Sequence, residues 1–399
     1  MNARADPRIW CLAVAETLVW AGFYYFFPAM LLRWEVAFGW SKTEITLAAT
    51  LALLTSALVA PRVGGLIDRG HGRVVLTGSA ILGGVMLCLL TLVESQAMFI
   101  VVWLGLGIAM GGCLYEPCFA FLTHRRGFEA KSAITLITLV AGFAGTVSFP
   151  LANGIAAAAD WQTASATFAA LTILVAAPLF WFGGRRLPQD PEPTFAATDG
   201  PGRNVVRRQM RRPAFWLLAI GFATIALNHG MVVNHLLPLL DERGVPAAMA
   251  VLAVSLIGPM QVVGRVVMIA TERRLGMVTI CGVTFVMMAV AGGVLGVAAG
   301  LPLLVYAFVA LQGSGYGVTS ITRPVVTAEL LGRNGFGAVS GALALPFVAA
   351  TALSPSVGSL FWAWGGYDLV IAAMVATVFF GFLCFVGAVR LARRTPIEE

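Results

Sequence analysis

The stretch from Val74 to Val93 reads VVLTGSAILGGVMLCLLTLV and contains no Asp, Glu, Lys or Arg. A second such stretch, AMFIVVWLGLGIAMGGCLY, runs from Ala97 to Tyr115. Uncharged apolar runs of about 20 residues are long enough to cross the hydrocarbon core of a bilayer as helices. The two stretches therefore predict an integral membrane protein built from transmembrane helices.

The composition of the whole chain agrees with this prediction. Of its 399 residues, 59% are hydrophobic and only 11% are charged, whereas soluble domains carry about 25% charged residues. A chain with so little polar surface would aggregate in water. The composition therefore excludes a soluble enzyme or a nucleic-acid-binding domain, despite the net charge of +7.

Apolar runs between charged or Pro/Gly-rich breaks predict an all-α membrane protein with twelve transmembrane helices. Their approximate bounds are 9–32, 43–67, 74–93, 97–122, 132–154, 161–183, 213–240, 246–271, 275–298, 301–327, 337–361 and 368–389.

The basic residues predict the orientation of these spans. If the N-terminus is cytoplasmic, the outside-facing segments hold only Arg33, Lys42 and Arg243, while Arg62, Arg265 and Arg323 lie within spans. The other basic residues, out of 26 in total, face the inside. Cytoplasmic loops carry an excess of Lys and Arg. We therefore expect both termini to be cytoplasmic, in a membrane of the bacterial inner type.

A polar segment divides the spans six and six. It predicts three parts: an N-terminal six-helix bundle at 1–183, a cytoplasmic linker at 184–212 and a C-terminal six-helix bundle at 213–399. The linker is rich in proline and arginine, which favours a mobile segment with one short helix at 205–210 on the anionic membrane surface. Binding of a regulatory partner is the alternative.

The two halves are related in sequence, which predicts two pseudo-symmetric bundles with a site at their interface. Four pairs of matches recur in order at a nearly constant offset of about 207 residues. They are GFEAKSA (127–133) with GFGAVSG (335–341), Glu116-Pro117 with Arg323-Pro324, Pro28 with Pro238, and Pro150 with Pro355.

The loop between spans two and three reads GGLIDRGHGR, from Gly64 to Arg73. It resembles the G-x-x-x-D-[RK]-x-G-x-[RK] loop of the major facilitator superfamily of secondary transporters. His71 stands where that pattern has its second glycine, so the turn is expected to shift. The resemblance implies that Asp68, Arg69 and Arg73 form a conformational latch, with Glu272 in a degenerate second copy. A fixed turn with solvated charges is the alternative.

Arg265 is the first candidate for a substrate contact, because a charge inside a span is costly unless it has a task. Gln261 precedes it by one helical turn. The placement is similar to the eighth-helix arginine of monocarboxylate transporters and oxalate/formate antiporters, which holds the substrate carboxylate. This chain departs from the monocarboxylate pattern, since Gln261 replaces an aspartate. A structural ion pair, or an arginine that reaches the lipid headgroups, is the alternative.

Spans one and seven are expected to supply the rest of a cavity lining. Trp20 and Tyr24 follow Glu16 at helical spacing, and the repeat places Tyr24 and Tyr25 opposite Asn234 and His235. Asn228 shares a face with His235. These residues predict an aromatic and hydrogen-bonding lining for a small polar or anionic solute. Helix packing, and for His235 a structural role, are the alternatives.

Two further predictions concern coupling and gating. Glu16 has no evident basic neighbour on its own helix, so we expect it to carry a coupled proton, with a structural hydrogen bond as the alternative. Glu116 and Arg323 occupy related positions with opposite charge, and the resemblance implies that they form a gate between the halves. Pairing of Glu116 with Arg62 or Arg69 is the alternative.

The leading hypothesis is a secondary transporter of a small organic anion, in particular a monocarboxylate, that works by alternating access as a monomer. Its partners are the carboxylate, a proton or counter-anion, and the bilayer, with no nucleic acid. An efflux transporter for a drug or metalloid is the second hypothesis, and a membrane enzyme or sensor is the third. The sequence holds no HExxH or GxSxG motif. We therefore expect no enzyme activity, cofactor or metal; a soft-metal pair at Cys113 and Cys118 is a remote alternative.

Overall fold

The structure is a computed structural model that describes residues 6–126, 130–185, 202–298, 301, 303–332 and 336–394. Within these ranges the regular structure is helical. The chain divides into two compact units, unit 1 (Met1–Ala196) and unit 2 (Ala197–Glu399). The division falls inside the predicted linker, most of which lies outside the described residues, as do Gly127 and Gly335 of the predicted repeat.

The described part of unit 1 contains ten α-helices, several of which join end to end. They are α1 (Pro7–Val19), α2 (Phe26–Phe38), α3 (Lys42–Leu66), α4 (Gly72–Leu90), α5 (Gln96–Cys113), α6 (Tyr115–Arg126), α7 (Ala130–Ala141), α8 (Ala144–Ala158), α9 (Trp161–Leu171) and α10 (Ala177–Gly183). Wider π-helical turns connect some of them, at Trp20–Tyr25, Ile67–His71 and Thr172–Ala176.

Unit 2 begins with a short helix in the predicted linker and continues with longer ones. They are α11 (Gly202–Met210), α12 (Pro213–Glu242), α13 (Ala247–Leu275), α14 (Met277–Val297), α15 (Leu304–Gly317), α16 (Thr319–Leu331) and α17 (Phe336–Arg394). The last helix bends at Gly365 and Gly366, where the backbone leaves the helical region.

All twelve predicted spans correspond to helices. In the described parts of the chain, nine continuous helical stretches are long and apolar enough to cross a membrane. Two of these, Lys42–Leu90 and Val339–Arg394, each contain two predicted spans. The tenth predicted span is formed by α15 and α16, which are individually short because the helix breaks at Val318.

Helix ends are set by local capping chemistry. At the start of α3, the Ser41 hydroxyl accepts from the backbone N–H of Glu44 at 3.3 Å, and the Glu44 carboxylate accepts from the Ser41 N–H at 2.8 Å. Asp160 caps α9 in the same way by accepting from the N–H of Thr163 at 2.6 Å. Such caps satisfy donors that the first helical turn leaves unpaired.

Glycines allow α5 to pack directly on α3 in unit 1. A Cβ atom at Gly107 would collide with the carbonyl oxygen of Ala52. One turn later, a Cβ atom at Gly111 would lie 2.9 Å from the carbonyl oxygen of Ser56. The backbones of the two helices therefore approach each other as closely as small residues permit.

The same contact recurs in unit 2 between α15 and α13. A Cβ atom at Gly313 would lie 2.9 Å from the carbonyl oxygen of Ile257, and one at Gly317 would collide with that of Gln261. Gly313 and Gly317 come 206 residues after the corresponding pair of unit 1. The offset nearly equals that of the sequence matches, so the duplication is visible in the packing as well as in the sequence.

Candidate functional site

The candidate site of unit 1 is built around the π-helical turn Trp20–Tyr25. Pro28 lies four residues after Tyr24. Because proline has no N–H, it cannot donate the helical hydrogen bond to the Tyr24 carbonyl, and this favours irregular backbone here. The Ala21 carbonyl accepts a hydrogen bond from the Ser148 hydroxyl at 2.7 Å. A π-turn holds more residues than an α-turn. Both tyrosines therefore reach the Trp20 face, whereas helical spacing alone places only Tyr24 there.

The aromatic side chains of this turn form a cluster. The Trp20 ring centroid lies 5.2 Å from that of Tyr24 and 6.4 Å from that of Tyr25. Tyr115 approaches the same ring to 4.6 Å and stacks on Phe119 at 5.1 Å. All five rings are half-buried. We call these five residues the aromatic cluster.

Glu16 lies one turn before Trp20 and is wholly buried. The Cys118 thiol and the Trp20 indole are its hydrogen-bonding neighbours, although no contact to either carboxylate oxygen or to the indole nitrogen among the described residues has full hydrogen-bond geometry. Its polar and charged neighbours include Cys118, Glu116 and Trp20. Since buried polar groups are normally hydrogen-bonded or paired, a carboxyl group buried in this way is a candidate for a functional role.

The predicted gating residues of unit 1 differ in their surroundings. Asp68 and Arg69 are exposed, and the turn glycine with positive φ is Gly70, one residue before His71. The expected shift of the turn is therefore observed. Arg73 is anchored, since its Nε donates to the Trp181 carbonyl at 2.8 Å.

Glu116 follows the helix break at Leu114 and is exposed. It forms no ion pair with Arg62 or Arg69, all three of which lie in the described part of unit 1. In unit 2, Arg323 lies over the Phe347 ring at 4.2 Å, and Glu272 is exposed on the last turn of α13. The predicted gate stays a prediction.

Unit 2 contains a row of buried polar side chains between α12 and α15. The Asn228 side-chain amide donates to the Met374 carbonyl at 3.2 Å, and its oxygen accepts from Gln312 at 2.8 Å. One turn further along α15, Tyr316 stacks on His229 with ring centroids 3.4 Å apart. Nδ1 of His229 is buried without a partner among the described residues.

Arg265 adjoins this row. It is half-buried, and its Nε donates to the carbonyl of Gly317 at 2.9 Å, next to Tyr316. That carbonyl belongs to the last residue of α15, and a cation is favourable at a helix C-terminus. Gln261, one turn before Arg265, is buried against the same glycine. The structure thus brings Arg265, Gln261 and the row together within one unit.

The other predicted residue on α12 has a different setting. His235 is wholly buried, and its Nε2 lies 2.8 Å from the Pro355 carbonyl oxygen. A Cβ atom at Gly358 would collide with its ring, so α17 packs directly on this side chain. These contacts match the structural alternative for His235.

Sequence reasoning missed Gln312, Tyr316 and Tyr115. Gln312 carried the same signal as Gln261, a polar side chain in an apolar span. The aromatic residues could not be distinguished from ordinary packing residues. Within the described residues, no group of three or more metal-ligating side chains comes together.

Comparisons with known proteins identify the family of this chain. The model of the Major Facilitator Superfamily matches residues 12–292, which is more than half of the chain. The chain belongs to the major facilitator superfamily. The fold of this facilitator, predicted from the twelve apolar runs and from the resemblance of the loop at Gly64 to Arg73, is therefore confirmed.

Two solved structures share the fold of this facilitator. Both are crystal structures of a bacterial homolog of the human lysosomal transporter Spinster in an inward-facing conformation. The occupied form gives a TM-score of 0.73 at 16% identity, and the unoccupied form gives 0.70 at 15%. Each alignment covers 98% of both chains. A search of curated proteins gives no match.

The family and the fold together indicate a multi-pass membrane protein that moves small molecules across the bilayer as a secondary transporter, rather than an enzyme. The resemblance to the monocarboxylate and oxalate/formate branch is a finer statement and stays a prediction.

Proposed function

We propose that this facilitator moves a small organic anion, in particular a monocarboxylate, across an inner membrane by alternating access coupled to proton movement. The observation that carries the proposal is Arg265, a half-buried guanidinium within an apolar helix, next to a buried row of hydrogen-bonding side chains. A charge in a membrane span is expensive and is most often kept for function.

The contacts of Arg265 favour a carboxylate as ligand. The hydrogen bond from Nε to Gly317 fixes one edge of the planar guanidinium. A planar guanidinium presents paired N–H donors in the geometry that matches the two oxygens of a carboxylate. Gln261 adds an amide to the same neighbourhood, where the monocarboxylate pattern has an aspartate. Because Gln261 stands in place of that aspartate, no carboxylate at this position competes with the substrate for Arg265.

The buried row supplies hydrogen-bonding groups beside the arginine. Tyr316 is the neighbour of Gly317, and His229 stacks on it. Nδ1 of His229, which has no hydrogen-bond partner among the described residues, and the Asn228–Gln312 pair give a substrate polar partners. The flat faces of the rings suit a small apolar body. The arrangement supports a solute with one carboxylate and a short carbon skeleton.

Glu16 is the proposed proton carrier in unit 1. Keeping a charge buried without a partner is costly, and a carboxyl group avoids that cost by binding a proton. The burial of Glu16 without an ion pair among the described residues of unit 1 supports proton exchange.

Uptake into proteoliposomes tests the proposal. Purified protein is reconstituted, and a panel of radiolabelled short carboxylates is offered with an imposed pH gradient. We expect Arg265→Lys to lose at least about tenfold in uptake, because lysine keeps the charge but lacks the planar fork. The matched control is Arg273→Lys, an exposed arginine on the last turn of the same helix, which should transport at the wild-type rate.

The aromatic cluster favours a second candidate function, efflux of a cationic or aromatic compound. Five aromatic rings close to a buried carboxyl group form a setting that attracts organic cations through cation–π contacts. Wild-type carboxylate uptake in both Arg265→Lys and Arg265→Ala would reject the carboxylate contact. Transport of a cationic dye that is lost in Tyr115→Ala would then support efflux.

A further inference from the structure

Four arginines from four separate segments meet at one end of unit 1. Arg8 lies at the start of α1, Arg73 at the start of α4, Arg125 on the last turn of α6, and Arg185 just after α10. We call these four residues the arginine cluster. The latch and transport proposals use only Arg73 of this set.

Backbone carbonyls at the end of α10 hold the cluster together. Nη1 of Arg8 and Nη1 of Arg125 donate to the same oxygen, the carbonyl of Arg185, at 3.3 and 2.9 Å. Nε of Arg73 donates to the Trp181 carbonyl at 2.8 Å. The last carbonyls of a helix attract cations. These hydrogen bonds fix the positions of the guanidinium groups. A carbonyl oxygen carries only a partial negative charge, so it does not neutralise an arginine.

The charges of the cluster are poorly balanced. Asp6 is buried and pairs with Arg8 at 2.9 Å. Arg73 and Arg185 repel each other, and in residues 6–126 and 130–185 neither forms an ion pair with a carboxylate. Arg73 and Arg185 therefore contribute two positive charges that no carboxylate pairs with in these residues. This excess makes the cluster a site for an anion.

Exposed aromatic side chains place the cluster at the level of lipid headgroups. Trp10, Trp181 and Phe182 are 43%, 40% and 48% exposed. The guanidinium carbon of Arg73 lies 3.5 Å from the Trp181 ring centroid, and that of Arg185 lies 4.6 Å from the Phe182 ring centroid. Tryptophan is enriched where a membrane protein passes the interface between hydrocarbon and water. Arginines that stack on such rings face headgroups.

A small recess next to the cluster is lined by apolar and basic side chains. Ile9, Leu12 and Phe121 line it, together with Arg8 and Arg125. The exposed rings beside Arg73 and Arg185 favour a lipid over a soluble phosphate, because such rings lie among lipid headgroups.

We propose that the arginine cluster binds the phosphate headgroup of an anionic phospholipid, with phosphatidylglycerol as the representative ligand. Arg73 and Arg185 contact the phosphate, while Arg8 and Arg125 add to the positive potential. Arginine suits phosphate because its N–H groups match two oxygens at once. Basic pockets between transmembrane helices bind anionic headgroups in this way. The lipid would link α1, α4, α6 and α10 at this end of unit 1.

Thermal unfolding in detergent tests the proposal, followed by the intrinsic fluorescence of the ten tryptophans. Phosphatidylglycerol in mixed micelles should raise the Tm of the full-length protein by about 5 °C, because a ligand that binds only the folded state stabilises it. Phosphatidylcholine and soluble glycerol phosphate should leave the Tm unchanged. The double variant Arg73→Gln/Arg185→Gln should lose more than half of the rise.

The matched control is Arg273→Gln/Arg274→Gln, which removes two exposed arginines from the last turn of α13 in unit 2. It should keep the full rise. If Arg73→Gln/Arg185→Gln does not fold, Arg185→Gln alone carries the same prediction with a smaller loss. A full rise in the cluster variants, or an equal loss in the control, would overturn the site. An equal rise with glycerol phosphate would identify a soluble phosphate instead of a lipid.

Discussion

At the scale of single residues, buried polar side chains in unit 2 depend on each other across long sequence distances. Gln312 is 1% exposed, and its amide donates to the side chain of Asn228, which is 2% exposed. Removing one partner leaves the other buried without its hydrogen bond. The cost of such an orphan exceeds the net value of the bond itself.

We expect Asn228→Ala to destabilise the protein by about 1–3 kcal/mol, because the Gln312 amide is left unpaired. Asn234→Ala is the matched control on the same helix. Asn234 is also buried, but it donates only to the Gly230 carbonyl of its own helix at 2.9 Å, so no buried donor is orphaned. Thermal unfolding in detergent should show a clearly larger fall in Tm for Asn228→Ala. Equal falls would contradict the pairing.

A second residue-scale prediction concerns Glu16. Glu16→Gln removes the exchangeable proton while it keeps the size of the side chain. Uptake driven by a pH gradient should fall at least about tenfold, while exchange of substrate without a gradient should persist. Glu94→Gln is the control, since Glu94 is exposed and lies between α4 and α5. An unchanged rate and pH profile in Glu16→Gln would show that this carboxyl group carries no coupled proton.

At the scale of helices, the contacts of α5 with α3 and of α15 with α13 depend on residues without a side chain. Ser314 adds a hydrogen bond to the second contact, from its hydroxyl to the Met260 carbonyl at 3.2 Å. Close backbone approach gains dispersion energy along the helices, which is the main attraction between helices inside a bilayer.

Gly107→Ala and Gly317→Ala should each destabilise the protein by about 1–3 kcal/mol, because the new methyl group meets a backbone carbonyl that cannot move aside. Gly293→Ala on α14 is the matched control. A Cβ atom there meets nothing within 4 Å, and alanine favours a helix by up to about 1 kcal/mol over glycine. The Tm should therefore fall for the first two variants and stay level or rise for the third. Equal responses would refute close packing.

At the scale of the whole molecule, the three basic residues on the predicted outside each have a local hydrogen-bond or ion-pair partner. Arg33 donates to the Ala156 carbonyl at 3.1 Å. Lys42 pairs with Glu35 at 3.1 Å, and Arg243 pairs with Asp368 at 2.6 Å. These contacts explain how the three cations can lie on the predicted outside face. The orientation itself follows from the excess of Lys and Arg in the loops of the other face.

Reporter fusions test the predicted orientation. A fluorescent protein fused after Arg394 should fluoresce, because we expect the C-terminus to be cytoplasmic. Alkaline phosphatase, which is active only outside the cytoplasm, should be active when fused after Gly244 and inactive when fused after Arg274. The reverse pattern would show that the segments rich in Lys and Arg face the outside, and that the predicted orientation is wrong.

The sequence by itself determined the helical membrane architecture, the twelve spans, the duplication and the family loop. These properties are local, because a bilayer selects apolar segments one at a time by their length and charge. Arg265 could be selected in the same way, since one charge in an apolar span is visible without knowledge of any neighbour.

Only the tertiary structure decided what the candidate residues contact. The π-turn brings Tyr25 as well as Tyr24 to Trp20, although regular helical spacing places only one of them there. Arg265 meets a carbonyl 52 residues away, and Gln312 meets an amide 84 residues away. His235 is held by α17. These contacts depend on how helices pack and where their backbones bend, and no local pattern of residues encodes such distances.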